Sequence, residues 1–293
     1  MVIDIKYYII TIASIFISLG IGIIIGFNMN GDEIYLSQQQ QLVDSLEYNF
    51  NMLRIEKENL INTIEELTKE NENKQAFIEK AYYEIISNRL SGMNIALVQI
   101  TEDYYYNNIK EVVEEAGAVM PIHIVFTDKI VNLNDKELHK INTSLGLSLT
   151  EEKLLHRINI EMMDLFINEE ISYLLKYLIS NKYIHFNHYK EFNDSIDQVI
   201  IAGGNQNELR DTTNDLVEDL INELKISNIN IIGVERLDVA HSYIPIYNQF
   251  GISTVDNIDT LVGKISLVLT SSGKENSFGV RPYVESFTPL GIP

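Results

Sequence analysis

The chain has six histidines and no cysteine, which bounds its chemistry before any fold is considered. Without a thiol there is no disulfide, no cysteine–zinc site, no iron–sulfur cluster and no cysteine nucleophile. The remaining candidate metal ligands are imidazoles. His185 and His188 stand three residues apart, and His156 follows Glu152 by one helical turn, both spacings at which nitrogen and oxygen donors ligate a metal. Isolated pairs of this kind are more often solvated or core polar residues. Asp256, Asn257 and Asp259 in STVDNIDT (253–260) put two carboxylates in a turn, where capping competes with cation or partner binding as the explanation. Ser271 and Lys274 have the S-x-x-K spacing of a serine–lysine acyl transferase, but no S-D-N or K-T-G element accompanies them. No enzyme is expected.

One loop offers a binding surface. In VIIAGGN (199–205) a strand ends in Gly203 and Gly204 before a helix, a turn that in open parallel sheets faces a ligand crevice. There is no third glycine for a dinucleotide fingerprint and no Gly-Lys-Ser/Thr for a phosphate loop, so the pair reads first as a tight strand-to-helix turn and only second as a binding surface.

The elements that must position these residues begin near residue 92. Asn94–Ile100 reads as a buried strand, Asp103–Gly117 as a helix and Val119–Phe126 as a second strand. A long helical region starts near Ser148, with Ser148 and Glu151 as a capping box, and runs to Leu178. Further strands are expected at Gln198–Ala202, Ile229–Val234 and Ile265–Thr270, with a helix at Thr212–Leu224. Strand and helix alternating in this order predict a mostly parallel α/β sandwich domain over residues 92–293, with helices on both faces of the sheet.

The first ninety residues are of another kind. Ile9–Phe27 holds 19 residues with no charge, enough to cross roughly 30 Å of hydrocarbon, and it runs on into Asn28, Met29 and Asn30 without a cleavage-site pattern. It is expected to be an uncleaved signal anchor. Lys6 lies before it and Asp32 and Glu33 after it, placing residues 1–8 in the cytoplasm and the bulk of the chain outside a cytoplasmic membrane crossed once. Residues 28–91 then read as a coiled-coil stalk. With Leu36 at heptad position a, the d sites include Leu46, Leu53, Leu60 and Leu67, and Asn71 falls at an a site, a combination that favours a parallel homodimer. Within the span Ser14, Ser18, Gly22 and Gly26 recur every fourth place, lining a face that lets two helix backbones approach closely in lipid. The formal net charge of −20, from 22 basic against 42 acidic residues, argues against nucleic acid or an anionic lipid surface as the main partner.

Taken with the stalk, the runs YYIITIASIFISLGIGIIIG, NIALVQI and IKEVVEEAGAVM, the VIIAGG turn and above all GISTVDNIDTLVGKISLVL resemble the mycobacterial-type MctB family of copper transport proteins. The most specific matches are Ser253, Thr254, Val255, Asp256, Ile258, Asp259, Gly263 and Leu269, with Ser14, Leu19, Gly22 and Gly26 in the span. The resemblance implies a single-pass envelope protein of copper transport or homeostasis. Related actinobacterial proteins are described instead as partners of a cytosolic protein and a peptidoglycan hydrolase in cell division. Many relatives carry a histidine where Tyr8 stands. The family's outer-membrane description meets a chain with one apolar helix, whereas outer membranes are crossed by closed β-barrels. A lone helix, even paired, encloses no pore. The expected function is therefore that of a membrane-anchored dimeric binding or scaffold protein of copper homeostasis. The alternative is an envelope scaffold that recruits a peptidoglycan hydrolase or division partner without handling copper. Copper is the one cofactor implied. For copper(I), which favours gathered thioether or imidazole groups, Met162 and Met163 are adjacent in a predicted helix and point to different faces.

Overall fold

The computed structural model describes residues 5–191, 195–207, 211–273, 277–282 and 286–289, apart from the side chains of residues 28–34, 211 and 212. The chain divides into two compact units, residues 1–74 and 75–293.

Helix α1 (Ile5–Ile86) makes up the first unit and enters the second. Its stretch Ile5–Phe27 has a mean hydropathy of 2.5 over its most apolar window and no residue buried in the chain. The hydroxyls of Thr11, Ser14 and Ser18 donate to the carbonyls of Tyr7, Ile10 and Ile15 at 2.6, 2.8 and 3.0 Å. Their polarity is thus satisfied inside the helix, as a hydrocarbon environment requires. Further along, Leu46, Leu53, Leu60 and Leu67 project into solvent, each about half or more exposed.

The second unit is built on β1 (Ile95–Gln99), α2 (Asn108–Glu115), β2 (Ile122–Phe126), α3 (Asp128–Val131), α4 (Asp135–Leu145), α5 (Glu151–Asn168) and α6 (Tyr173–Ser180). It continues through β3 (Ile184–His188), β4 (Gln198–Ala202), α7 (Asp211–Ile226), β5 (Asn230–Val234), α8 (Ile244–Gln249), β6 (Ser253–Val255), α9 (Leu261–Ser271) and β7 (Ser277–Phe278). The seven strands form one sheet in the order β3-β2-β1-β4-β5-β6-β7. Every pairing is parallel except β2 with β3, where Ile124 faces Phe186 in an antiparallel edge. The chain leaves β1 toward β2 and returns to the other side of β1 as β4, so the topological switch lies between β1 and β4.

Alternation along the central strands feeds two cores. Ala96, Val98, Val199 and Ile201 point to a face covered by α5, α6, α7 and α8, packing with Ile158, Met162, Phe166, Leu220 and Tyr247. Ile95, Leu97, Ile200 and Ile232 point the other way, against Ile109, Val113, Leu267 and the last turns of α1, where Tyr82 and Ile86 are buried. The Tyr82 hydroxyl donates to Glu115 Oε2 at 2.8 Å, fixing that end of α1 on α2.

Several boundaries differ from the sequence expectation. The run Ile265–Thr270, predicted as a strand, lies inside helix α9: Thr260 caps it, its hydroxyl accepting from the Gly263 N–H at 2.9 Å. The helix is buried on nearly every side, so it shows no periodicity to separate it from a buried strand. The helix predicted over Asp103–Gly117 begins only at Asn108, because residues 101–106 are tied to the end of β4. Thr101 donates to the Gly204 carbonyl at 3.1 Å and Asp103 accepts from the Gln206 N–H at 2.8 Å. The region expected to run unbroken from Ser148 to Leu178 is two helices. Thr150, not Ser148, is the N-cap, accepting from Lys153 N–H at 3.4 Å, and Glu169 ends α5 in the left-handed region at φ 57°.

Candidate functional site

The three histidines of the sequence reading occupy three separate places, each beside its own carboxylate. On α5, His156 Nδ1 lies 2.8 Å from Asp219 Oδ1 of α7. Glu223 stands one turn beyond Asp219, and one donor atom from each of the three residues falls within 4.8 Å of the others. Beneath them Asn159, wholly buried, donates from Nδ2 to Asp219 Oδ2 at 2.8 Å and to the Leu216 carbonyl at 3.2 Å. A groove of about 490 Å³ runs between the two helices here, with Glu152, Asp215 and Glu218 on its walls together with Lys153. Glu152 and His156 were legible as a helical pair. Asp219 and Glu223 were missed, although an i, i+4 carboxylate pair on the predicted helix Thr212–Leu224 was the signal that could have found them.

His185 and His188 share the edge strand β3, where an offset of three residues puts side chains on opposite faces. His185 Nε2 is 3.2 Å from Glu102 Oε1, and His188 Nε2 is 3.1 Å from Glu169 Oε1. The two do not converge.

The carboxyl edge of the sheet gathers the other candidates. Gly203 and Gly204 follow β4 and are buried. A Cβ on Gly203 would lie 2.5 Å from Tyr247 Oη, and one on Gly204, which sits at φ +99°, would lie 2.4 Å from Val239 Cγ1. The glycines thus let a layer of Tyr243, Tyr247 and Val239 close over the strand ends. The Tyr106 hydroxyl donates to the Gly203 carbonyl and accepts from the Arg236 N–H. Asp256, at zero exposure, accepts from the N–H groups of Val280 (2.9 Å) and Arg281 (2.8 Å). Asp259 accepts from Leu237 N–H at 2.8 Å. The backbone carbonyl of Asn257 accepts from Thr260 N–H and Oγ1, both at 2.9 Å.

Glu235, just past β5, was not singled out from sequence, since a lone glutamate between apolar residues and a turn carries no spacing signal. It is fully buried. Its carboxylate accepts from Ser242 Oγ (2.7 and 2.9 Å) and Tyr243 N–H (3.0 Å), and Arg281 Nε approaches to 3.2 Å. Burial pushes its pKa up to about 7, against the lowering effect of Ser242, Arg281 and Tyr243. Arg281 also donates from Nη2 to the carbonyls of Leu237 and Val239. This network fastens the 279–282 segment to the strand ends.

On α1 the small-residue face is open: a Cβ at Gly22 or Gly26 would meet nothing within 4 Å. Ser14 and Ser18 are exposed on the same helix, as are Leu46, Leu53, Leu60, Leu67 and Asn71.

In comparison with known families, the model described as "Copper transport outer membrane protein, MctB" matches residues 2–289. Among curated proteins none matches the chain. A match over nearly the whole length ties the apolar helix, the long polar helix and the seven-stranded head to one copper-transport-related, membrane-associated lineage, and the chain belongs to the MctB family.

Proposed function

We propose that the chain is a single-pass anchor protein of the cytoplasmic membrane, with residues 1–8 inside, the span at 9–27, the stalk at 28–91 and the α/β head outside. Two copies pair side by side through the face of Ser14, Ser18, Gly22 and Gly26 and through the stalk leucines. The pair serves copper homeostasis as a binding or scaffold protein, not as a conduit. One observation carries this reading: Leu46, Leu53, Leu60 and Leu67 expose about half or more of their surface along one heptad stripe. Burying a leucine side chain is worth about 1.5–3 kcal/mol, so a helix left unpaired forfeits that at every heptad. Pairing through the same stripe recovers it, and the exposed hydroxyls and glycines of the span permit close backbone contact where the hydrophobic effect offers nothing.

The test exploits the absence of cysteine. A single cysteine placed at Leu60 should form an intermolecular disulfide in membranes on mild oxidation, whereas one at an outward position such as Glu58 should not. Equal yields at both positions, or a monomer mass for the detergent-held chain, would overturn the pairing.

A further inference from the structure

The structure assigns a mononuclear divalent-cation site to the junction of α5 and α7, at the margin of the groove that His156 and Asp219 line, with His156, Asp219 and Glu223 as its protein ligands. The site goes beyond the paired-anchor reading, because both helices belong to one chain and the ligand set is complete without a second copy. Four features carry it. The three donor atoms already lie within 4.8 Å of one another, so a single ion can bridge them with small side-chain rotations. Each ligand stands on a helix of 18 or 16 residues, and buried Leu155, Ile158, Leu216 and Leu220 fix the two helices against a common core; sites on such rigid elements hold their geometry. Asn159 is sealed in the core and spends an N–H on Asp219, leaving its own Oδ1 without a donor. That is the outer-shell support that orients a ligating carboxylate. Finally, one imidazole and two carboxylates neutralise a dication, and Glu152, one turn before His156, lines the same groove as a further oxygen donor.

The ligand chemistry selects the ion. Nitrogen and carboxylate donors with no sulfur suit copper(II), zinc(II) or nickel(II) and disfavour copper(I), which seeks thiolate or thioether groups. The pairs His185–Glu102 and His188–Glu169 each offer one imidazole and one carboxylate, and neither belongs to a three-ligand cluster among the described residues.

The test uses the full chain in detergent micelles, titrated with copper(II), with zinc(II) and with copper(I) held reduced. One copper(II) per chain should bind, with a single imidazole nitrogen visible in its electron paramagnetic resonance spectrum, and zinc(II) should occupy the same site more weakly, competing with copper(II) only in large excess. His156→Gln and Glu223→Gln should each weaken copper(II) binding by at least about 100-fold, since outer-shell partners alone are worth roughly 10–100-fold. The double change His185→Gln/His188→Gln should leave it intact. Glu223 is only partly buried, so Glu223→Gln keeps the fold, as its circular-dichroism melt will show. Copper(II) affinity unchanged in both single variants, loss confined to the His185/His188 variant, or tighter binding of copper(I) than of copper(II) would each overturn the site. Stalk crosslinking on the same samples reads the pairing separately, so either conclusion can fail alone.

Discussion

Glu235 and His123 make opposed contributions to stability, and replacing either one should unmask the other. Glu235 is buried at the carboxyl end of β5, and burial lifts its pKa from 4.5 to about 7. The folded state holds its proton more tightly than the unfolded chain does. Its contribution is therefore fully present below pH 4.5 and lost as pH rises through 7. His123 in β2 is 2% exposed, its Nε2 has no partner, and burial alone pushes its pKa from 6.5 down to about 4. Its contribution is complete above pH 6.5 and lost as pH falls through 4. Each displacement corresponds to about 3 kcal/mol. Between pH 4.5 and 6.5 the two slopes cancel, and the wild-type profile from this pair is nearly flat.

Glu235→Gln retains an acceptor for Tyr243 N–H and leaves Arg281 its Leu237 and Val239 carbonyls. This variant should gain about 3 kcal/mol relative to wild type between pH 4.5 and 8, a relative rise in melting temperature of roughly 6–12 °C for a unit of this size. His123→Leu should show the mirror image, growing less stable as pH rises through the same interval. With no tryptophan in the chain, near-ultraviolet circular dichroism of the buried Tyr106, Tyr243 and Tyr247 reports the transition. Acid titration of other carboxylates is common to all three proteins and drops out of the differences. Profiles of Glu235→Gln and wild type that run parallel within about 1 kcal/mol would refute the assignment of Glu235 as a group neutralised by burial.

Three further outcomes follow from the same edge of the sheet. A Cβ at Gly263 would lie 1.9 Å from the Asn257 carbonyl oxygen, so Gly263→Ala should cost about 1–3 kcal/mol by overpacking, read by urea unfolding. Tyr106→Phe leaves the Gly203 carbonyl and the Arg236 N–H without their partner, which should cost roughly 1–3 kcal/mol in the same assay. Gly279 sits at φ +147°, where a Cβ would lie 1.6 Å from Asp256 Oδ1; Gly279→Ala should release the segment that Asp256 holds and speed chymotryptic cleavage after Phe278, measured by limited proteolysis.

The parts of the fold readable in advance were those with a repeating pattern. Leucines seven apart announced the long helix, an uncharged run announced the apolar one, and the solid apolar blocks NIALVQI and VIIA announced the two strands that flank the topological switch. What escaped had no such pattern. The edge strand β3 alternates little and carries two histidines and an asparagine, so it reads as a loop until β2 is there to pair with it. Helix α9 is enclosed by protein on almost every side, and its isoleucine, leucine and valine run mimics a strand. The candidate site divided in the same way. His156 was visible with Glu152 on one helix, but Asp219 and Glu223 are some sixty residues away in sequence and meet His156 only because α5 and α7 lie together on one face of the sheet. Glu235 and Arg281 are likewise joined only by tertiary structure.

The unbroken course of α1 has a geometric corollary. Counting back from Leu36 in sevens, Gly22 occupies an a position and Ser18 a d position, so the small-residue face and the leucine stripe fall on the same heptad positions along a single continuous helix. A residue added between them would swing the two faces apart by about 100°, while seven would bring them back into line. In the proposed pair the junction is a torsional shaft: with no break in the helix between them, turning the span turns the leucine stripe as well.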